Sequence, residues 1–158
     1  MKNSTSKRIQ GKIRKLPVYF VDSSIFLEIL LKQSRYDECI AFFNNVGYRY
    51  RLMASTVVMG EIIKALHELG DEKQKEGWLS SLSLLLENSS TFISPVSFQC
   101  INNIPTVINA ESHLESSDAI IFSSAITENC RAFVTLDSDF SMRLGTEFDI
   151  LIKKPSDA

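Results

Sequence analysis

The stretch Val18-Tyr19-Phe20-Val21-Asp22-Ser23-Ser24 decides how this chain is read. Four apolar or aromatic residues with strand-forming composition end at an acid and two serines. Ile25 to Leu31 then takes up helical spacing. The stretch is a buried strand that feeds a helix and leaves an aspartate at the junction.

The same alternation repeats outward from it. A helix over Tyr36 to Asn45 leads to a strand at Tyr50 to Ala54, and Ser55 or Thr56 can cap a helix from Val57 to Leu69, closed by Gly70. Residues 71 to 87 read as another helix, and Thr91 to Val96 as a strand broken off by Pro95. Phe98 to Leu114 is weakly helical and interrupted by Pro105. Ser117-Asp118 opens a strong helix from Ala119 to Asn129, Ala132 to Leu136 is a fourth strand ending in Asp137, and Phe148 to Ile152 is a short last one. Strands separated by helices predict an α/β fold with a central parallel sheet of four or five strands, covered on both faces.

Composition sets the bounds. At 158 residues, 44% hydrophobic and 23% charged, the chain suits one globular domain. No apolar run approaches the roughly 20 residues of a membrane span, and the basic N-terminus lacks the apolar stretch of a secretory signal, so a cytoplasmic protein is expected. Cys39, Cys100 and Cys130 are odd in number and widely spaced, which predicts buried, reduced thiols. Residues 1 to 15 carry six basic residues and no acid, so a net charge of -2 leaves the rest of the chain at -8. Residues 1 to 17 are expected to be a flexible basic leader and 18 to 154 the folded domain, although such a leader can also contact phosphates.

In open α/β sheets the functional crevice lies beyond the carboxyl ends of the strands. Asp22 ends the first strand, Asp137 and Asp139 follow the fourth, Glu61 sits early in the helix after the second, and Asp118 lies at the start of its own helix. No Lys or Arg stands within three residues of Asp22, Asp118 or Asp137. Clustered, unpaired carboxylates repel. A divalent cation relieves that repulsion, and hard oxygen ligands suit Mg²⁺ or Mn²⁺ rather than Zn²⁺, in sites that serve phosphoryl chemistry. Each acid also has an ordinary reading: Asp22 and Asp118 as helix caps, Asp137-Ser138-Asp139 as a turn, Glu61 paired with Lys64. Glu61 is the hardest to dismiss, because it interrupts Val57-Val58-Met59-Gly60 and Ile62-Ile63, where Gly60 would relieve crowding beside it.

The ordered set Val-Asp22-Ser-Ser, Gly-Glu61-Ile, Ser-Asp118-Ala-Ile-Ile and Val-Thr135-Leu-Asp137-Ser-Asp139-Phe140 closely resembles the PIN-domain family, over about residues 18 to 152. Small PIN proteins such as the VapC-type toxins look like this. The resemblance implies a PIN-like three-layer α/β/α fold and a metal-dependent endoribonuclease that leaves 5′-phosphate and 3′-hydroxyl ends. It also implies the expected partners: RNA, an antitoxin if the chain is the toxin of a VapBC-type pair, and often a second copy in a homodimer. Asp22, Glu61, Asp118 and Asp137 match the family's catalytic acids. Asp22, Asp118 and Asp137 match metal ligands, with Asp139 as an additional or water-mediated one. Ser24 and Thr135 match hydroxyl positions that orient a carboxylate or bound water.

Other chemistries are excluded or disfavoured. Val-Thr-Leu-Asp137-Ser-Asp139 is also similar to the nucleophile strand of haloacid-dehalogenase-like phosphatases, but that strand opens their fold, and here only 19 residues follow Asp139. The EF-hand glycine and terminal glutamate, the phosphate-binding P-loop and the GxGxxG of nicotinamide folds are all absent. The remaining alternative is a PIN-like RNA-processing factor or a non-catalytic binding module.

Overall fold

The computed structural model describes residues 16 to 158, so the leader expected over residues 1 to 17 lies almost wholly outside the described residues. Five strands form one sheet: β1 (Val18–Val21), β2 (Arg51–Ser55), β3 (Phe92–Ser94), β4 (Ala132–Val134) and β5 (Leu151–Lys153). Their order is β3-β2-β1-β4-β5, and every neighbouring pair is parallel. The helices are α1 (Ser23–Leu30), α2 (Tyr36–Phe43), α3 (Thr56–Leu69), α4 (Glu72–Ser89), α5 (Phe98–Ala110), α6 (Ser116–Thr127) and α7 (Met142–Glu147), followed by a 3₁₀ turn at Pro155–Asp157. The expected three-layer α/β/α arrangement is what this chain adopts.

Burial explains the architecture. Phe20 and Val21 point to opposite faces of the sheet, yet both are fully buried, as are Ala132, Phe133 and Val134 in β4. Consecutive buried residues require helices on both faces. Phe133 stacks on Phe20 at 5.7 Å between ring centroids and meets Phe122 of α6 edge-on at 5.3 Å. Each such ring contributes roughly 1.5–3 kcal/mol through burial. Cys39, Cys100 and Cys130 are free and buried, as expected. No helix among the described residues is long and apolar enough to cross a membrane.

Three local expectations need correction. Pro105 does not interrupt α5, which runs unbroken from Phe98 to Ala110. The proline is exposed, Ile101, four residues earlier, is half exposed, and the buried face at Cys100 and Val107 holds the helix against α6. The lost N–H therefore frees a carbonyl on the solvent side, where water can satisfy it. β4 ends at Val134 rather than Leu136, where Thr135 and Asp137 turn into loop hydrogen bonds, and β5 begins at Leu151 rather than Phe148, because α7 runs to Glu147 and Phe148 closes it. Gly60 relieves no crowding, since a Cβ there would meet nothing within 4 Å.

The one crowded glycine in that closing segment is Gly145, where a Cβ would lie 2.5 Å from the Ile150 carbonyl oxygen and 2.7 Å from the Ile152 side chain. Gly145→Ala should therefore cost about 1–3 kcal/mol by overpacking. Gly60→Ala, in open space inside a helix, should add about 1 kcal/mol. Urea unfolding of the two variants measures both, and equal effects would show that the α7–β5 junction is not tightly packed.

Candidate active site

The strand order reverses direction at the centre of the sheet. The chain passes outward from β1 to β2 and β3, then returns to lay β4 on the other side of β1. The carboxyl ends of β1 and β4 thus flank a crevice, the position where open α/β sheets place ligands. Asp22 ends one of these strands, and the Asp22 N–H still bonds to the Val134 carbonyl at 3.0 Å, so the two chain ends leave the sheet side by side.

Asp22 stands at the N-cap position of α1, but its carboxylate does not cap the helix. Its Oδ2 instead accepts hydrogen bonds from Ser24 Oγ at 2.6 Å and Thr135 Oγ1 at 2.8 Å. The residue is 4% exposed, and burial pushes its pKa up, opposed by the two hydroxyls and the Ser23 backbone and reinforced by the charge of Glu61. Thr135 is also fully buried, and its Oγ1 accepts from the Asp137 N–H at 2.9 Å. Ser24 Oγ accepts from the Leu136 N–H at 3.1 Å. Two hydroxyls, both noted in the sequence, therefore tie the first acid to the loop that carries another.

Glu61 lies on α3 and accepts from Ser23 Oγ at 2.7 Å. The alternative pairing with Lys64 does not occur among the described ion pairs. Asp118 is the third residue of α6, whose N-cap position belongs to Glu115, so Asp118 is not a cap either. Its pKa is raised to about 6, first by burial and then by the charges of Glu61, Asp22 and Asp137. Asp118 is thus within electrostatic reach of Glu61, Asp22 and Asp137, and Asp22 within reach of Glu61.

The loop after β4 holds the last two acids differently. Asp137 Oδ1 accepts from the Asp139 N–H at 2.9 Å, so the expected turn does form. Its backbone carbonyl accepts from Lys154 Nζ at 3.2 Å. Asp139 itself is exposed, and its carbonyl lies 3.2 Å from His113 Nε2. The next residue, Phe140, is buried against Phe133 at 4.6 Å and anchors the loop. The structure thus gathers Asp22, Glu61, Asp118 and Asp137 and leaves Asp139 at the solvent edge.

Sequence reasoning missed Ser23, which holds Glu61; its only signal was adjacency to Asp22. It also missed the depth of the cleft beside Glu61, an opening of about 570 Å³ whose walls include Leu27, Gly60, Lys64, Glu115 and Ser117.

None of the four gathered acids forms an ion pair with Lys, Arg or His among the described residues. An all-oxygen donor set whose charge is uncompensated fits a hard divalent cation. Among the described residues no three acids yet converge closely enough to grip one ion, and Asp137 is turned into its own loop. The donor chemistry fits, while the side chains as placed form no ready ion site among the described residues.

No curated protein sequence matches the chain significantly. Solved structures do. A VapBC2 complex from Rickettsia felis bound to a DNA fragment from its promoter is similar with TM-score 0.63 and 19% identity, covering 87% of this chain and 98% of that one. VapBC-1 from nontypeable Haemophilus influenzae is similar with TM-score 0.66 and 16% identity, covering 88% and 98%. VapC20 of Mycobacterium tuberculosis, a sarcin–ricin loop cleaving toxin, is similar with TM-score 0.60 and 16% identity, covering 77% and 91%. At these identities the likeness is one of fold. The sequence itself matches the PIN domain model over residues 19–143, through most of its length, and the chain belongs to the PIN domain family.

Proposed function

We propose that this protein is a divalent-metal-dependent endoribonuclease, acting on RNA in the cytoplasm as the toxin of a VapBC-type pair. The observation that carries the reading is the gathering of four carboxylates without a cationic partner at the β1/β4 crevice. A merely structural cluster would be expected to contain its own counter-ions, because burial of unpaired charge is costly. PIN domains are generally nucleases, and the neighbours that are toxin–antitoxin complexes support an antitoxin as partner.

Asp22, Asp118 and Asp137 would hold Mg²⁺ or Mn²⁺, with Glu61 at the far side of the crevice and Asp139 entering as an outer ligand. When bound, such an ion supplies a water acidic enough to deprotonate near neutral pH and neutralises charge at the scissile phosphate. Ser24 and Thr135 fix the Asp22 carboxylate, since both donate to the same oxygen. Ser23 does the same for Glu61. Attack by water rather than the ribose 2′-hydroxyl leaves 5′-phosphate and 3′-hydroxyl ends, and neither His67 nor His113 is required as a base. Lys64 in the cleft and the basic residues of the leader offset the acidic field toward an RNA backbone.

The second partner is another copy of the chain. Residues 88 to 110 contain no charged side chain, and α5 exposes Phe98 at 79% and Ile101 at 50%. Solvent-facing aromatic and aliphatic side chains on a charge-free helix suit a self-association surface.

Two measurements test these readings. Incubation of mixed RNAs with Mg²⁺, Mn²⁺ or EDTA should show metal-dependent cutting, reduced at least a hundredfold by Asp22→Asn and by Asp118→Asn. No cutting in any buffer, together with no heat of metal binding, would favour the binding-module alternative. In analytical ultracentrifugation the native chain should sediment as a dimer and Phe98→Asp as a monomer of unchanged Tm; a native monomer at micromolar concentration rules the dimer out.

A further inference from the structure

Glu111 closes α5, and its side chain is only 12% exposed although the residue stands on the short link between α5 and α6. Its Oε2 accepts from Ser141 Oγ, whose own lone pair accepts the Leu144 N–H at 3.1 Å and so caps α7. Its Oε1 lies 3.4 Å from His113 Nδ1 and 3.9 Å from Arg143 Nη2. The same Arg143 donates to the Ala110 carbonyl at the end of α5. The other ring nitrogen of His113 reaches the Asp139 carbonyl. Glu111 therefore grips the far end of the Asp137–Ser141 loop, whose near end is already fixed by Ser24, Thr135 and Lys154.

The link that contains Glu111 runs directly into α6, and Asp118 follows seven residues later. Building on the nuclease reading above, we propose that Glu111 is a positioning residue: it ties the Asp137 loop to the end of α5, where the link to α6 begins, and thereby sets the spacing of Asp137 from Asp118. The Arg143 contact alone carries little weight, since Arg143 is 72% exposed and such pairs are weak. The hydroxyl bond to Ser141 is the part shielded from water. A carboxylate there serves both hydrogen-bond and charge partners, whereas an amide serves only the first.

Amide hydrogen exchange and Mn²⁺ titration of the full-length protein test this, alongside RNA cleavage. Glu111→Ala should speed exchange at residues 136 to 144 in the metal-free protein and leave the β4 amides protected. It should also weaken Mn²⁺ binding about tenfold and lower kcat by a similar factor with KM within twofold, as losses around metal ligands do. Glu111→Gln, which keeps an acceptor for Ser141, should recover most of both losses. If Glu111→Ala does not fold, Ser141→Ala should give the same split. Faster exchange with unchanged Mn²⁺ affinity and kcat would reduce Glu111 to a stabilising contact and overturn the proposal. A native protein that neither binds Mn²⁺ nor cuts RNA would overturn the nuclease reading, and this one with it.

Discussion

The pair of hydroxyl bonds that Ser24 and Thr135 donate to the Asp22 carboxylate is the constraint on which the site depends. Asp22 is buried at the junction of two central strands, where an unsolvated carboxylate would cost several kcal/mol if left without donors. The hydroxyls offset part of that cost but supply no positive charge. They hold the acid in place and leave it raised in pKa by burial. The same two side chains also accept backbone N–H groups of the β4 loop, so fixing the first acid fixes the path of the chain toward Asp137.

The fold makes this junction possible. Only at the β1/β4 switch do two parallel strands send their following segments in different directions and leave room between them. α3 and α6 then bring Glu61 and Asp118 to the same opening, and the Asp118 pKa is raised first by burial and then by the charges of Glu61, Asp22 and Asp137. None of the four acids is relieved by an ion pair among the described residues, and on the proposed nuclease reading that uncompensated charge is what keeps the crevice open to a cation, at the expense of stability in its absence.

Much of this was legible in the sequence because burial writes itself plainly. The uninterrupted apolar runs of β1 and β4 announced a two-sided parallel sheet, and acids directly after them had one edge to share. The hydroxyls of Ser24 and Thr135 beside the acids came from the resemblance to the PIN-domain family rather than from any local pattern. What was not legible depended on side-chain packing at a distance. Pro105 looked like a break because its cost is local, whereas α5 is held by a face of residues packed on α6. α7 was hidden because six residues around a glycine carry too little periodicity. Gly60 looked like a concession to crowding, but its surroundings are open. Ser23 and Glu111 escaped notice because their partners lie 38 and 30 residues away, a separation that no local pattern encodes.

Thermal melting across pH tests most directly whether these carboxylates stay uncompensated until a cation binds. Asp118 has an ordinary pKa of 3.8 and a folded value of about 6, so the folded state holds an extra proton between those limits. The contribution of Asp118 to the stability of the metal-free protein should therefore be lost as pH rises from about 4 to about 6, a loss that Asp118→Asn removes. At pH 7, Asp118→Asn should melt higher than the native chain without metal, and Mg²⁺ should raise the Tm of the native chain alone. A native protein that is no less stable than Asp118→Asn at pH 7, and indifferent to Mg²⁺, would contradict the account.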